Sequence, residues 1–145
     1  MKKKNEIISN LINQSNPKRN ILKNALQAFF VGGTICLMAQ ILKTIFLIFL
    51  DEQLSNVLAT LSMILIASLL TSFGIYDKLG QFAGAGTIIP ITGFANSVTS
   101  SAIEYKSEGI ITGIINNMLK LAGSVIVVGV ISAFIFGSIY FFLGV

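Results

Sequence analysis

From Leu79 to Ile103 the chain reads LGQFAGAGTIIPITGFANSVTSSAI, a run without a single charge that is nevertheless interrupted by Gly80, Gly84, Gly86, Pro90 and Gly93. Its apolar length suits a membrane, but each glycine or proline weakens an internal helical turn, so a plain anchoring helix has no reason to look like this. Irregular backbone at membrane depth is tolerated only where it is packed in protein or lines a polar cavity. Interruptions of this kind build solute sites in channels and transporters, where the end of a half-helix faces the solute. The residues therefore point to passage through a membrane.

The rest of the chain supports the membrane class. Hydrophobic residues make up 54% of the 145 and charged ones 11%, where a soluble domain carries roughly 25% charged. The net charge of +4 is uneven: Lys2, Lys3, Lys4, Lys18, Arg19 and Lys23 all precede the first apolar run. Next to a span, such a lead reads as a cytoplasmic anchor on anionic lipid rather than a nucleic-acid arm. At 23 residues, mixed with Asn, Gln, Pro and Glu6, it is too long and too polar for the n-region of a cleaved signal, and it is expected to be retained. There is no His, and one Cys, Cys36. Neither an internal disulfide nor a metal cluster can be built from these residues, and the thiol lacks a base to activate it. The six acids lie at segment ends. No enzyme activity, cofactor or metal is expected.

The predicted organisation is all-α: a basic lead over residues 1–23, then a single membrane domain over 24–145, forming a polytopic integral membrane protein of three to four transmembrane helices. The first span covers about 24–50, containing Gln40 and Lys43, and the short loop Asp51-Glu52-Gln53 follows. The second covers 54–76, close to the ~20 residues that cross the hydrocarbon. The broken segment, 79–103, either crosses, giving four spans, or dips in and returns, giving three; four is the expectation. The last span begins at 109 or at 121 and ends near 143. With the lead in the cytoplasm, Asp51 faces the other side and Asp77-Lys78 returns.

Helical periodicity predicts which faces matter. In the first span Phe29, Gly33, Cys36, Gln40 and Lys43 share a stripe, either a packing seam with Lys43 snorkelling or a pore-facing or partner-facing seam with Gln40 inside the membrane. In the second, Thr60, Ser68 and Ser72 form a row beside Ala59, Ala67 and Thr71, expected to contact another helix. In the last, Gly113, Asn116, Asn117, Lys120, Gly123 and Ser124 share one face, and Gly129, Ala133 and Gly137 form a small-residue row. Lys120 is expected as an interface anchor; were the helix to begin at Gly109 it would be a cation near mid-membrane, able to attract an anion. In the broken segment, Gly84-Ala85-Gly86 and Pro90 predict a loop and then a short helix whose first N–H groups, with Thr92, Asn96 and Ser97, are candidate donors to an anionic solute. Close helix packing explains the same glycines equally well. The candidate solute-path residues are Gly84, Gly86, Pro90, Thr92, Asn96, Ser97, Gln40 and Lys120.

Three stretches resemble the SpoVA membrane proteins of spore-forming Firmicutes across nearly the whole chain: NPKRNILKNALQAFFVGGTIC, TSFGIYDKLGQFAGAGTIIPITGFANSVTSSAIEYKSEG and KLAGSVIVVGV. The long central match is specific; Gly-Ala-Gly alone would be weak. The resemblance implies movement of dipicolinic acid, with calcium, across the spore inner (forespore) membrane during sporulation and germination, in company with other SpoVA proteins or further copies of the chain. It implies a channel or transporter subunit; a calcium chelate also needs tolerance of a cation, for which Glu104 or Glu108 at the mouth is a candidate. The alternative is a non-conducting scaffold that assembles other SpoVA proteins.

Overall fold

The computed structural model describes residues 20–144, so the basic lead, apart from Asn20 to Lys23, lies outside the described residues. The described residues form helices and turns without a strand: α1 (Ile21–Phe46), α2 (Glu52–Ser72), α3 (Ile75–Ala83), α4 (Ala85–Ile88) and α5 (Ile91–Glu104). A 3₁₀ turn (Tyr105–Glu108) and a π-turn (Ile110–Ile115) then lead into α6 (Asn116–Leu143). This agrees with the all-α expectation.

Among the described residues three helices are long and apolar enough to cross a membrane: α1, α2 and the continuous helix Ile110–Leu143. The broken segment supplies no fourth. Its longest piece, α5, has 14 residues and measures about 21 Å at 1.5 Å per residue, short of the ~30 Å hydrocarbon layer. In place of one continuous spanning helix, the broken segment is a three-part excursion, α3–α4–α5. The cause is local chemistry: Gly84 closes α3, and Pro90 prevents α4 from running on into α5.

α1 and α2 form a hairpin whose turn is held by charge. Asp51 caps α2 by accepting from the Leu54 N–H, and Lys43 pairs with Glu52 at 3.1 Å. Lys43 is thus an anchor at the helix end. α2 stops short of its predicted end because Gly74 takes a left-handed conformation, and Ile75 begins a new helix. α3 is amphipathic: Ile75, Leu79 and Phe82 lie on one exposed face, with Asp77, Lys78 and Gln81 on the other.

The buried face of α2 is Ser55, Ala59, Met63 and Ala67, an i, i+4 row of small or flexible residues. α5 packs more extensively on α2 than on any other helix, and α1 lies alongside as well. The predicted row of Thr60, Ser68 and Ser72 is displaced from it. Thr60 and Ser72 are exposed, and their hydroxyls return to the carbonyls of Asn56 and Ser68. In α1 the predicted stripe is not packed within the chain: Phe29, Gly33, Cys36 and Gln40 are exposed, whereas Ile35 is buried and Gly32 meets α4. The sequence stripe follows polarity, and in lipid polarity does not mark the packed face. In the π-turn, Gly113 is pressed against the turn at Tyr105 and Glu108, and on α6 Gly129 and Gly137 have open space around them.

The tightest contact in the bundle is backbone on backbone. A Cβ on Gly86 would collide with the carbonyl oxygen of Ala28 and lie 2.8 Å from its Cα, and one on Gly32 would stand 3.2 Å from the Gly86 carbonyl. Both obstacles are main chain, which cannot rotate away. Gly86→Ala is expected to lower stability by about 1–3 kcal/mol, the usual cost of overpacking. Gly33→Ala, one residue from Gly32 but facing open space, is expected to leave the protein as stable as before or slightly more so, since alanine favours a helix. Thermal unfolding of the two variants in detergent, side by side, checks the contrast.

Candidate functional site

The break is built around a tyrosine. Tyr76 follows the left-handed Gly74 and points inward, 4% exposed, against Ala67 of α2 and Ala95 of α5. Its hydroxyl donates to the Thr87 carbonyl at 2.9 Å and stands 2.8 Å from Thr92 Oγ1. A phenol has one proton to give, so with that proton on Thr87 the threonine hydroxyl supplies the other. One side chain thus ties α3, α4 and α5 together and satisfies a carbonyl that the broken backbone frees. Thr87 is itself buried, and its hydroxyl bonds to the Gly84 carbonyl at 2.9 Å.

α5 is seated against α2 by a second polar contact. Thr71 Oγ1 lies 2.7 Å from the Ala67 carbonyl and 2.8 Å from Asn96 Oδ1. One turn nearer the start of α5, Gly93 lets the Thr87 and Ile88 carbonyls come right up to the helix; a Cβ there would strike both. The N–H of Gly93 is taken by the Pro90 carbonyl at 2.8 Å. The beginning of α5 is therefore faced by carbonyl oxygens of its own chain. These oppose the partial positive charge that an α-helix N-terminus presents.

Between α3, α4 and α5 lies a cleft of about 260 Å³, lined by Tyr76, Asp77, Thr87, Gly93, Asn96 and Ser97, with Gly80, Ile88 and Phe94 completing the wall. Asp77 is exposed at its edge, hydrogen-bonded to Gln81 at 3.2 Å, and the Ser97 hydroxyl donates to the Gly93 carbonyl at 3.1 Å. Among the described residues no basic side chain lines the cleft. Its polar character comes from hydroxyls, one amide, backbone carbonyls and a carboxylate, a set that favours a cation or a hydrogen-bond donor over a bare anion.

The predicted residues thus divide. Thr92, Asn96 and Ser97 meet in or beside this cleft, with Gly84, Gly86 and Pro90 shaping the backbone around it. Thr92 is not a free donor, because its hydroxyl is committed to Tyr76. Gln40 and Lys120 are not brought to the cleft. Gln40 sits exposed on α1. Lys120 is exposed on α6, where its ammonium donates to Asn117 Oδ1 at 3.3 Å, ten residues beyond Ile110. Sequence reasoning missed Tyr76 and Asp77. A tyrosine two residues after a glycine at the end of a span reads as an interfacial anchor, and only its burial reveals the hydrogen bonds.

Tyr76→Phe keeps the ring and removes the donor, leaving the Thr87 carbonyl unpaired in a buried place. The expected loss is about 1–3 kcal/mol. Asp77→Asn, at an exposed position, is expected to leave the unfolding temperature nearly unchanged. Detergent melts of the two variants separate the structural role from the electrostatic one.

The geometry can be set beside known proteins. The family model described as "SpoVAC/SpoVAEB sporulation membrane protein" matches residues 24–139, which includes every helix but the two ends. The chain is 51% identical over 127 residues to stage V sporulation protein AC of Bacillus subtilis (strain 168), covering 86% of this chain and 85% of that one. No solved structure matches the chain. The matched residues contain the Tyr76 knot, the Gly86 contact and the cleft together, and the chain belongs to the SpoVAC/SpoVAEB family of sporulation membrane proteins.

Proposed function

We propose that the protein is a subunit of a channel or transporter that moves dipicolinic acid, as its calcium chelate, across the spore inner membrane during sporulation and germination. The observation that carries this reading is the broken α3–α4–α5 excursion, which places a polar cleft within a bundle of otherwise apolar helices. Irregular backbone costs free energy in lipid unless it is packed or wetted, and a membrane anchor gains nothing from it. Membership of a sporulation membrane family supplies the context. The chelate suits the cleft better than the free acid: dipicolinate carries two carboxylates, and a bound divalent calcium cancels both before they meet Asp77 and the carbonyls. With the N-terminus in the cytoplasm, α3 and the cleft mouth face the cytoplasmic leaflet. No catalytic step is assigned to the chain.

A second reading, a non-conducting scaffold for other SpoVA proteins, is favoured by one feature. The break satisfies much of its own polarity, through Tyr76, Thr92 and the Gly84 carbonyl. The two readings differ in water access. In a Cys36→Ser background, single cysteines along residues 84–96 should react with a membrane-impermeant thiol reagent if the chain conducts, and should stay unmodified in a scaffold.

Spores lacking the protein are expected to lose most of their dipicolinate, and the intact gene is expected to restore it. Pro90→Leu and Gly86→Leu chains, shown by membrane fractionation to insert normally, should fail to restore it. Normal dipicolinate content and normal release on germination in the null strain would remove this solute from the proposal.

A further inference from the structure

We propose that the groove between the first turns of α1 and the amphipathic helix α3 is a binding site for one anionic phospholipid. The groove consists of two adjoining hollows of about 420 and 560 Å³ that share Gln27 and Phe82. Leu22, Leu26 and Phe82 give it an apolar wall suited to an acyl chain, and Lys23, Asn24 and Gln81 give it a polar edge. That edge offers a phosphodiester one cation, Lys23, and the Asn24 amide, while the Gln81 amide nitrogen donates to Asp77. Among the described residues no acidic side chain lines either hollow and Lys23 has no ion pair.

The charge of this end of the bundle selects the kind of lipid. Lys18, Arg19, Lys23 and Lys78 gather in sequence at the start of α1 and the start of α3, against Asp77 alone. At the opposite turn Lys43 pairs with Glu52, and Asp51 adds a second acid there. The basic end of a membrane protein faces the leaflet with exposed anionic headgroups, where each lysine near the surface contributes about 1 kcal/mol. The site differs from ordinary lipid contact because helices wall it on two sides and its floor is the break itself. Gly84 and Ala85 line the second hollow next to Ala28, whose carbonyl is in contact with Gly86. A lipid seated there fills the space that the α3–α4 bend leaves open behind α1 and keeps water from that side of the irregular backbone. The proposal rests on the membrane class of the protein and holds whichever solute the chain carries.

The test uses the purified full chain in detergent, offered equal amounts of phosphatidylglycerol and phosphatidylcholine with the same acyl chains, with retained lipid counted by native mass spectrometry. The wild type is expected to retain one phosphatidylglycerol in preference to phosphatidylcholine. Lys23→Gln should reduce that retention about fivefold, and Lys43→Gln, at the other end, should not. Ala25→Trp, which fills the second hollow, should reduce retention of either lipid while circular dichroism shows the helices intact. Equal retention of the two lipids by the wild type, or equal losses in the Lys23 and Lys43 variants, would overturn the proposal.

Discussion

The fold turns on the contact between Gly86 and the backbone of α1 at Ala28 and Gly32. An apolar medium offers no water to the N–H and C=O groups that a helix break exposes, so the break survives only if protein covers it. Most side chains would hold two backbones a full side-chain layer apart. Two glycines let α4 lie directly on α1, and the rest of the excursion follows from that seat. α3 is drawn along the beginning of α1, and α5 is directed back along α2, where Ala67 and Ala95 meet around Tyr76. The Tyr76 hydroxyl then completes what packing alone leaves undone, by satisfying the Thr87 carbonyl.

The position of the break was legible in the sequence, because Gly84 and Pro90 are backbone signals that act through the chain itself. So were the helical class and the long apolar helices. The packed faces were legible only in part: Ala59, Ala67 and Thr71 were expected at the contact of α2 and lie there, whereas Thr60 and Ser72 do not. In water, burial sorts apolar from polar residues and leaves a readable stripe; in lipid both faces of a helix are apolar, and the packed one is marked by size. That is why Ser55, Ala59, Met63 and Ala67 form the contact row of α2 while the more polar Thr60 and Ser72 face outward, their hydroxyls returned to carbonyls one turn back. The candidate site was half legible for the same reason. Asn96 and Ser97 lie in the cleft because they follow the break by one helical turn and more, whereas Gln40 and Lys120 were singled out by polarity alone and lie elsewhere. The partnership of Tyr76 with Thr87 and Thr92, 11 and 16 residues away, has no local pattern to announce it.

The electrostatics of the cleft reverse the expectation drawn from its helix. Taken alone, the start of α5 is a partial positive charge that would welcome a carboxylate. In place, it is fronted by the Thr87 and Ile88 carbonyls, and the cleft beside it carries Asp77. A dicarboxylate arriving bare would meet like charge. Arriving with a divalent cation it meets none, and the cation finds oxygens. On the proposed function, the same cleft that admits the chelate would hold back the free acid, so selectivity would reside in the solute's own stoichiometry rather than in a dedicated anion cradle.

A cleft formed by α3, α4 and α5 cannot by itself enclose a route across a membrane. α5 is too short to reach from one face to the other. α6, which could have closed the open side, leans on α5 only near its start and leaves the rest of its surface bare. In a single chain one wall of any solute path would thus be lipid tails, which cannot replace the hydration of a polar chelate. A conducting assembly therefore requires neighbours, either further copies of this chain or other SpoVA proteins, whose helices would supply the missing wall. The long exposed surface of α6 is the part of the structure that such neighbours leave least explained by lipid alone. Its Gly129, Ala133 and Gly137 row, open in the single chain, is shaped for the close helix approach that sealing a polar path demands.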